Sequence, residues 1–375
     1  MRALLLITLL ISVLLISCEK DTNETLLYVG TYTDAGSEGI YCYQFDERTG
    51  DLSLKSITEN KENPSFLAIS PDKKYLYAVS EVKESPGIDS GSVTSYRISA
   101  SGELNKINQK PTKGYHPCHV AVSPDGHFVV ASNYSSGSLS LFEVNDDGSL
   151  TDCFQQIQHA GSGPDSARQK APHAHSAQFG FSGEVLVSAD LGTDKVEFYR
   201  FNQAANKFEE AEQSVLNMSP GAGPRHFDFS PDGKFIYVMN EMHSTVSVLK
   251  KTGDTFDPIQ TLSSLPTDFV GSNSGADIHV SADGRFIYSS NRGHNSIAVF
   301  ERDDNGMLTL VETEPVVGDW PRNFTISPDG NYLLVANKKS NNVTLFDIDV
   351  ESGMLAYTGK SIEVPRPVCL EFLVR

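Results

Sequence analysis

Arg225, His226 and Glu241 stand at the two ends of one short stretch, GPRHFDFSPDGKFIYVMNE, residues 223–241. At its centre Ser230-Pro231-Asp232-Gly233 is a tight-turn sequence: Pro presets φ, Asp bonds back to the backbone and Gly takes the positive φ. The flanks HFDF and KFIYV are aromatic and β-branched, so they read as two strands. Folding about residues 232–233 sets Arg225 opposite residue 240, because antiparallel partners lie side by side. Arg225, His226 and Glu241 then meet at the end of the hairpin away from the turn. A guanidinium holds an anion in a two-pronged grip, an imidazole moves a proton near neutral pH, and a carboxylate orients either one.

The same frame recurs along the chain. NPSFLAISPDKKYLYAVSE starts at Asn63, HPCHVAVSPDGHFVVASNY at His116, PHAHSAQFGFSGEVLVSAD at Pro172, GADIHVSADGRFIYSSNR at Gly275 and WPRNFTISPDGNYLLVANK at Trp320. The turn aspartates are Asp72, Asp125, Asp232, Asp283 and Asp329; the third copy has Ser182-Gly183 instead. Because the turns repeat, they read as framework. The opposite corners vary, and variable corners on a constant frame are where sites are built. Glu81 ends the first hairpin. His116, His119, Asn133 and Tyr134 frame the second, and His173, His175 and Asp190 the third. Asp277, Asn291 and Arg292 frame the fifth, and Arg322 and Asn337 the sixth. Five of the ten histidines fall at these corners. His175, Arg225, Glu241 and Arg292 are the set costly to bury around one cavity without a ligand. His116, Asn133, Tyr134, His173, Asp190, His226 and Asn291 are the candidate substrate contacts. Glu81, Asn337 and Arg322 read as solvated or bonded to a neighbouring unit, and His119 as a satisfied histidine at a strand edge.

The elements that position these corners are strands. A third strand follows each hairpin (GSVTSYRI, GSLSLFEV, DKVEFYRF, STVSVLK, NSIAVFE, NNVTLFDI), and a weaker fourth often follows a DG or TG turn. No segment holds a capped 3.6-residue apolar period. Four antiparallel strands per unit of about 50 residues predict a β-propeller blade. Six blades are complete. TLLYVGTYT and GIYCYQFD read as second and third strands without a first, and PVCLEFLV as a first strand with nothing after it. The two ends therefore share a seventh blade, which closes the ring and removes exposed edges. In a propeller the first strand lines the channel, so all the corners converge on one mouth. The longest irregular stretch, HAGSGPDSARQKAPHAH, is expected to loop over one face.

Net charge is −18, which disfavours a phosphate-backbone partner and so a nucleic acid. Arg2 precedes the apolar run Ala3 to Ser17, short for a membrane span and suited to a signal-peptide core. The run ends in LISC, which resembles a bacterial lipobox. That resemblance implies cleavage before Cys18 and acylation of its thiol. Expected boundaries are residues 1–17 for the lipoprotein signal, 18–24 for a polar tether and 25–375 for a single propeller, with membrane contact only through Cys18. The protein is expected in the cell envelope, facing the periplasm or the exterior, as a monomer. Cys42 and Cys369 fall on the third and first strands of the shared blade, about 9.6 Å apart, beyond the roughly 7 Å reach of a disulfide. With Cys118 and Cys153 they read as small core residues. HPCH and HAH invite a metal reading, but no carboxylate stands at a companion spacing and their histidines belong to different blades. No metal and no cofactor are expected.

PHAHS (172–176), ADLGTDKV (189–196), GAGPRH (221–226), NE (240–241), NRGHNSI (291–297) and YVGTYT near the start carry a resemblance over essentially the whole mature chain. The chain resembles the seven-bladed lactonase family of 6-phosphogluconolactonase type, related to fungal carboxy-cis,cis-muconate cyclase. The resemblance implies opening or closing of a lactone ring, with His175, Arg225, Arg292 and Glu241 matching the family's proposed active-site residues. Lactone hydrolysis needs an activated water, an oxyanion donor and a clamp for an acidic substrate. His175 suits the base, with an ordinary pKa of about 6.5, and the two arginines suit the clamp. Glu241, acidified by Arg225, suits orientation of the imidazole or an arginine. The expected substrate is a small acidic sugar lactone, 6-phosphogluconolactone first. An envelope location leaves an unphosphorylated aldonolactone open. The alternatives are a non-catalytic propeller that binds a glycan or protein, and a muconate-type cycloisomerase.

Overall fold

The structure, a computed structural model, describes residues 24–375. Cys18, the expected lipidation site, lies outside the described residues, as does the expected signal segment. Among the described residues, 28 strands form seven four-stranded antiparallel sheets. Blades I to VI span 67–111, 117–158, 174–217, 224–263, 274–315 and 321–363 in chain order. Blade VII takes Pro367–Val374 as its inner strand, followed outwards by Thr25–Thr31, Gly39–Asp46 and Asp51–Glu59. Thr25 pairs with Val374 and Val29 with Leu370, so the chain ends close the ring as the sequence predicts. The seven inner strands, Leu67–Ile69, Pro117–Val122, Ala174–Phe179, Pro224–Phe229, Ser274–Val280, Pro321–Ile326 and Pro367–Val374, pack on one another around the full circle.

The hairpin turns follow from local chemistry. Ser230 Oγ donates to Asp232 Oδ1 at 2.6 Å, Lys234 N donates to the same oxygen at 3.1 Å, and Gly233 holds φ 67°. The pairs Ser70–Asp72, Ser123–Asp125, Ser281–Asp283 and Ser327–Asp329 repeat the bond. The apolar core lies between blades. Val187 and Phe198 of blade III, for example, join Phe227, Ile236 and Val238 of blade IV. A fully buried side chain of this size stabilises the fold by about 1.5–3 kcal/mol. The glycine of the turn between third and fourth strands locks adjacent blades. A Cβ on Gly148 of blade II would stand 2.2 Å from Tyr75 of blade I, and its φ of +83° suits only glycine. Gly306 and Gly353 meet Phe235 and Phe286 of the preceding blade in the same way. Cys42, Cys118, Cys153 and Cys369 are all buried and unpaired.

Candidate active site at the channel mouth

Two rings of residues face the mouth, and each has a backbone cause. The inner strands are not regular where they begin. In blade IV Pro224 pairs with Asn240 and His226 with Met239, which leaves Arg225 as the extra residue of a β-bulge. Cys118, His175 and Arg322 are the corresponding extra residues of blades II, III and VI, and Ala276 and Asp277 together face Ser290 in blade V. A bulge re-aims the side chain it carries. Uniform counting from the turn sets Arg225 against residue 240; the bulge gives that partner to Pro224. The second ring is the residue at the exit of each second strand: Tyr32, Glu81, Tyr134, Leu191, Glu241, Arg292 and Lys338. All but Arg292 donate their backbone N–H to a residue that precedes the facing inner strand, as Glu241 does to Gly223 O at 2.7 Å and Lys338 to Trp320 O at 3.1 Å. Arg292 pairs with Ser274. Several of the accepting residues hold left-handed backbone: Asn63, His116, Gly223, Trp320 and Arg366 have φ between 49 and 69°. For His116 this backbone role comes with a bond from its Nδ1 to Ser135 Oγ at 2.8 Å.

Glu241 is the electrostatic centre. Arg168 Nη2 donates to its Oε1 at 2.7 Å and Arg292 Nη2 to its Oε2 at 2.7 Å, while Arg225 Nε lies 3.1 Å from Oε2 at an angle that makes no hydrogen bond. Burial pushes the carboxyl up, but Arg292, Arg225 and Arg168 outweigh it and hold Glu241 well below the usual carboxylate range. It is therefore ionised and orients arginines. Arg225 is almost fully enclosed, with 1% of its surface exposed, and Nη1 donates to Ala276 O at 2.5 Å. Burial and the like charges of Arg292 and Arg322 push it down to about 9, still protonated at neutral pH. Arg225 thus stands behind Glu241 as a brace, and the expectation that it grips substrate directly is corrected: its guanidinium is enclosed by protein. Arg292 also donates to Gly275 O and lies 5.5 Å from the Trp320 ring.

Beside this cluster His175, His226 and His119 form edge-to-face contacts, with ring centroids 5.3 Å apart for the first two and 5.5 Å for the last two. His175 is held below its ordinary pKa by burial and then by Arg225 and His226, so it is neutral at pH 7. Its Nδ1 lies 3.8 Å from Cys118 Sγ, and its Nε2 meets no hydrogen-bond partner among the described residues. His226 Nδ1 bonds Asp277 Oδ1 at 2.7 Å; burial, then Arg225, push His226 down to about 4. The expectation of a satisfied His119 is corrected, since its buried Nδ1 has no partner.

Three expected substrate contacts belong to the frame. Strand alternation turns Asn133, Asp190 and Asn291, near the ends of their second strands, inward between blades. Asn133 Nδ2 bonds Ser140 Oγ at 2.9 Å, Asn291 Nδ2 bonds Ser264 O at 2.8 Å, and Asp190 Oδ2 bonds His159 Nδ1 at 2.7 Å; all three residues are fully buried. Asn337 does the same with Thr344 at 3.0 Å. Tyr134 and His173 do reach the mouth, their rings stacked with centroids 4.5 Å apart. The reading of Arg322 is corrected too. It lies on the inner ring, 5.5 Å from the Tyr32 ring, close enough to depress the pKa of Arg225, and it has no carboxylate within 4 Å.

Arg168, Tyr32 and Lys338 escaped the sequence reading. Lys338 and Tyr32 occupy the same column as Glu241 and Arg292, so a column-by-column alignment would find them. Arg168 has no such signal. It comes from the irregular stretch before blade III, which is anchored by Gln169 Nε2 on Leu191 O at 2.8 Å and Asp194 Oδ1 at 2.7 Å. That stretch crosses the mouth far enough for Arg168 to reach Glu241.

A closed seven-bladed ring with this charged mouth agrees with the comparisons to known proteins. Residues 26–372 match the family described as Lactonase, 7-bladed beta-propeller, and the chain belongs to it. It is 39% identical over 350 residues to the 6-phosphogluconolactonase of Bacillus subtilis, covering 92% of this chain and 97% of that one. It is 36% identical over 335 residues to that of Formosa agariphila, covering 88% and 94%. Among solved structures, the periplasmic gluconolactonase of Pseudomonas aeruginosa superposes with a TM-score of 0.87 at 36% identity, covering 93% of this chain and 99% of that chain.

Proposed function

We propose that this protein hydrolyses a sugar-derived δ-lactone, with 6-phosphogluconolactone as the leading substrate. The observation that carries the reading is a neutral imidazole, His175, beside a guanidinium cluster ordered by one ionised carboxylate. In the reaction His175 takes a proton from water as its oxygen attacks the lactone carbonyl. The carbonyl electrons move to oxygen, and the field of Arg292, which has a guanidinium nitrogen uncommitted to protein, stabilises that oxyanion. The ring C–O bond then breaks, and the imidazolium returns its proton to the leaving hydroxyl. The product is an open-chain acid. Glu241 and Arg225 position Arg292 and do not touch the reacting atoms. Tyr134 and His173 form a wall for the sugar.

Residues 1–17 serve in this reading as a lipoprotein signal, 18–24 as a tether from an acylated Cys18, and 25–375 as a monomeric enzyme held at the envelope. The periplasmic relative supports that location. Proton release from fresh lactone, followed against spontaneous hydrolysis, tests the activity. No acceleration with either phosphorylated or plain aldonolactones would sink it. Ultraviolet monitoring of muconates tests the cycloisomerase alternative on the same preparation.

A further inference from the structure

Five cations surround the mouth, and they fall into two groups. Arg168, Arg225 and Arg292 all converge on Glu241. Arg322 and Lys338 converge on nothing. Neither has a carboxylate within 4 Å or a side-chain hydrogen bond among the described residues, and both stand over the same aromatic ring, Tyr32, at 5.5 Å and 4.4 Å. The neighbouring carboxylate, Glu81, reaches them through its field and makes no contact with either. Glu81 accepts Tyr32 Oη at 2.8 and 2.9 Å and Ser65 Oγ at 2.5 Å, so both its oxygens are held by hydroxyls. Two adjacent unpaired cations over one ring repel each other. Burial and then Arg322 push the Lys338 ammonium down. In a chain of net charge −18 this is a local positive site that no carboxylate among the described residues contacts.

We infer that Arg322 and Lys338, over Tyr32, form the subsite for a distal anionic group of the substrate, a phosphate or carboxylate remote from the lactone carbonyl. The inference rests on the lactonase reading and deepens it. Its geometry comes from the ring. His175 is on blade III and Arg322 on blade VI, as far apart as seven blades permit. Arg292 is on blade V, between the two, so a lactone with its carbonyl at His175 and Arg292 and its long axis pointing away from blade III carries its far substituent to Arg322. A planar guanidinium supplies the two-pronged grip and the ammonium a point charge. Tyr32, held by Glu81, walls the far side. Arg322 and Lys338 are thus residues of specificity, distinct from those that meet the reacting atoms.

The test compares full-length wild type with Arg322→Gln and Lys338→Gln. Calorimetry measures binding of 6-phosphogluconate, glucarate and gluconate, and kinetics measure kcat/KM for phosphorylated and plain gluconolactone. Wild type should favour the ligands with a second anion. Each variant should lose that preference by roughly tenfold to a hundredfold, the worth of one charge-assisted bond. A larger loss with 6-phosphogluconate than with glucarate assigns the group as phosphate, and the reverse as carboxylate. A preference unchanged in both folded variants, or absent in wild type, overturns the inference. If wild type turns over no lactone but still binds these anions through Arg322, the lactonase reading fails and the subsite stands.

Discussion

Replacing Glu241 with Gln removes one charge from the centre of three guanidinia while keeping the side chain's shape. Two of the three, Arg225 and Arg292, are enclosed, with 1% and 5% of their surfaces exposed. Breaking a buried pair by neutralising one partner costs about 3–5 kcal/mol, because the remaining charge is left uncompensated. Unfolding entropy of about 2.1 cal/mol/K per residue, over a chain of this length, gives roughly 0.7 kcal/mol/K. The loss then corresponds to a fall in melting temperature of roughly 4–7 °C. The pH dependence carries a further signature. Glu241 has a depressed folded pKa, so its contribution is complete above its ordinary value of 4.5 and is lost as pH falls below that. The variant lacks this acid-side slope. Arg225 loses the partner that holds its pKa up and drops below about 9. A buried base with a depressed pKa destabilises while charged, so the variant regains stability relative to wild type as pH rises into the alkaline range. Turnover falls as well, since Arg292 loses its fixed orientation. Thermal unfolding from about pH 2 to 10 reads all of this. A melting temperature within a degree of wild type, with the acid slope intact, would mean that the guanidinia are solvated without Glu241 and that the carboxylate does not hold the cluster.

Other outcomes separate site from frame. His175→Ala should lower kcat by about 10²–10⁴, and the acid limb of the wild-type kcat/KM profile should lie below pH 6.5, because His175 is already neutral there; a limb above pH 6.5 would rule this imidazole out as the base. Arg168→Ala removes a side chain that is 43% exposed, so its effect on melting should be within about 1 kcal/mol. The same variant should raise KM, and steady-state kinetics showing an unchanged KM would remove the loop from the site. Asn291→Ala should do the opposite, losing about 1–3 kcal/mol of stability for its buried bonds while KM stays within twofold; denaturant titration beside kinetics decides it. Gly148→Ala should destabilise the contact between blades I and II by about 1–3 kcal/mol, and an unchanged unfolding midpoint would show that Tyr75 yields.

The blade count, the strand order and the closure of the ring were legible in the linear chain. Those features come from local rules that repeat: a Ser-Pro-Asp-Gly turn, alternating apolar strands, and a first strand missing at one end and supplied at the other. The linear chain also pointed to polar corners gathered at one mouth, and it singled out His175, Arg225, Glu241 and Arg292. What it could not contain was the aim and the charge balance of each corner. A bulge of one residue moves Arg225 out of register with residue 240, and it is the ladder with the neighbouring strand, not the strand's own composition, that reveals it. Asn133, Asp190 and Asn291 look like site residues in a linear reading because they adjoin Tyr134, Leu191 and Arg292; strand alternation commits the first of each pair to bonds within the frame. Glu241 is near Arg225 by counting, but Arg168 arrives from a loop and Arg292 from the next blade. Whether a cation is neutralised or left open, as Arg322 is, depends on what three or four separate blades bring within reach, and only the assembled ring decides that.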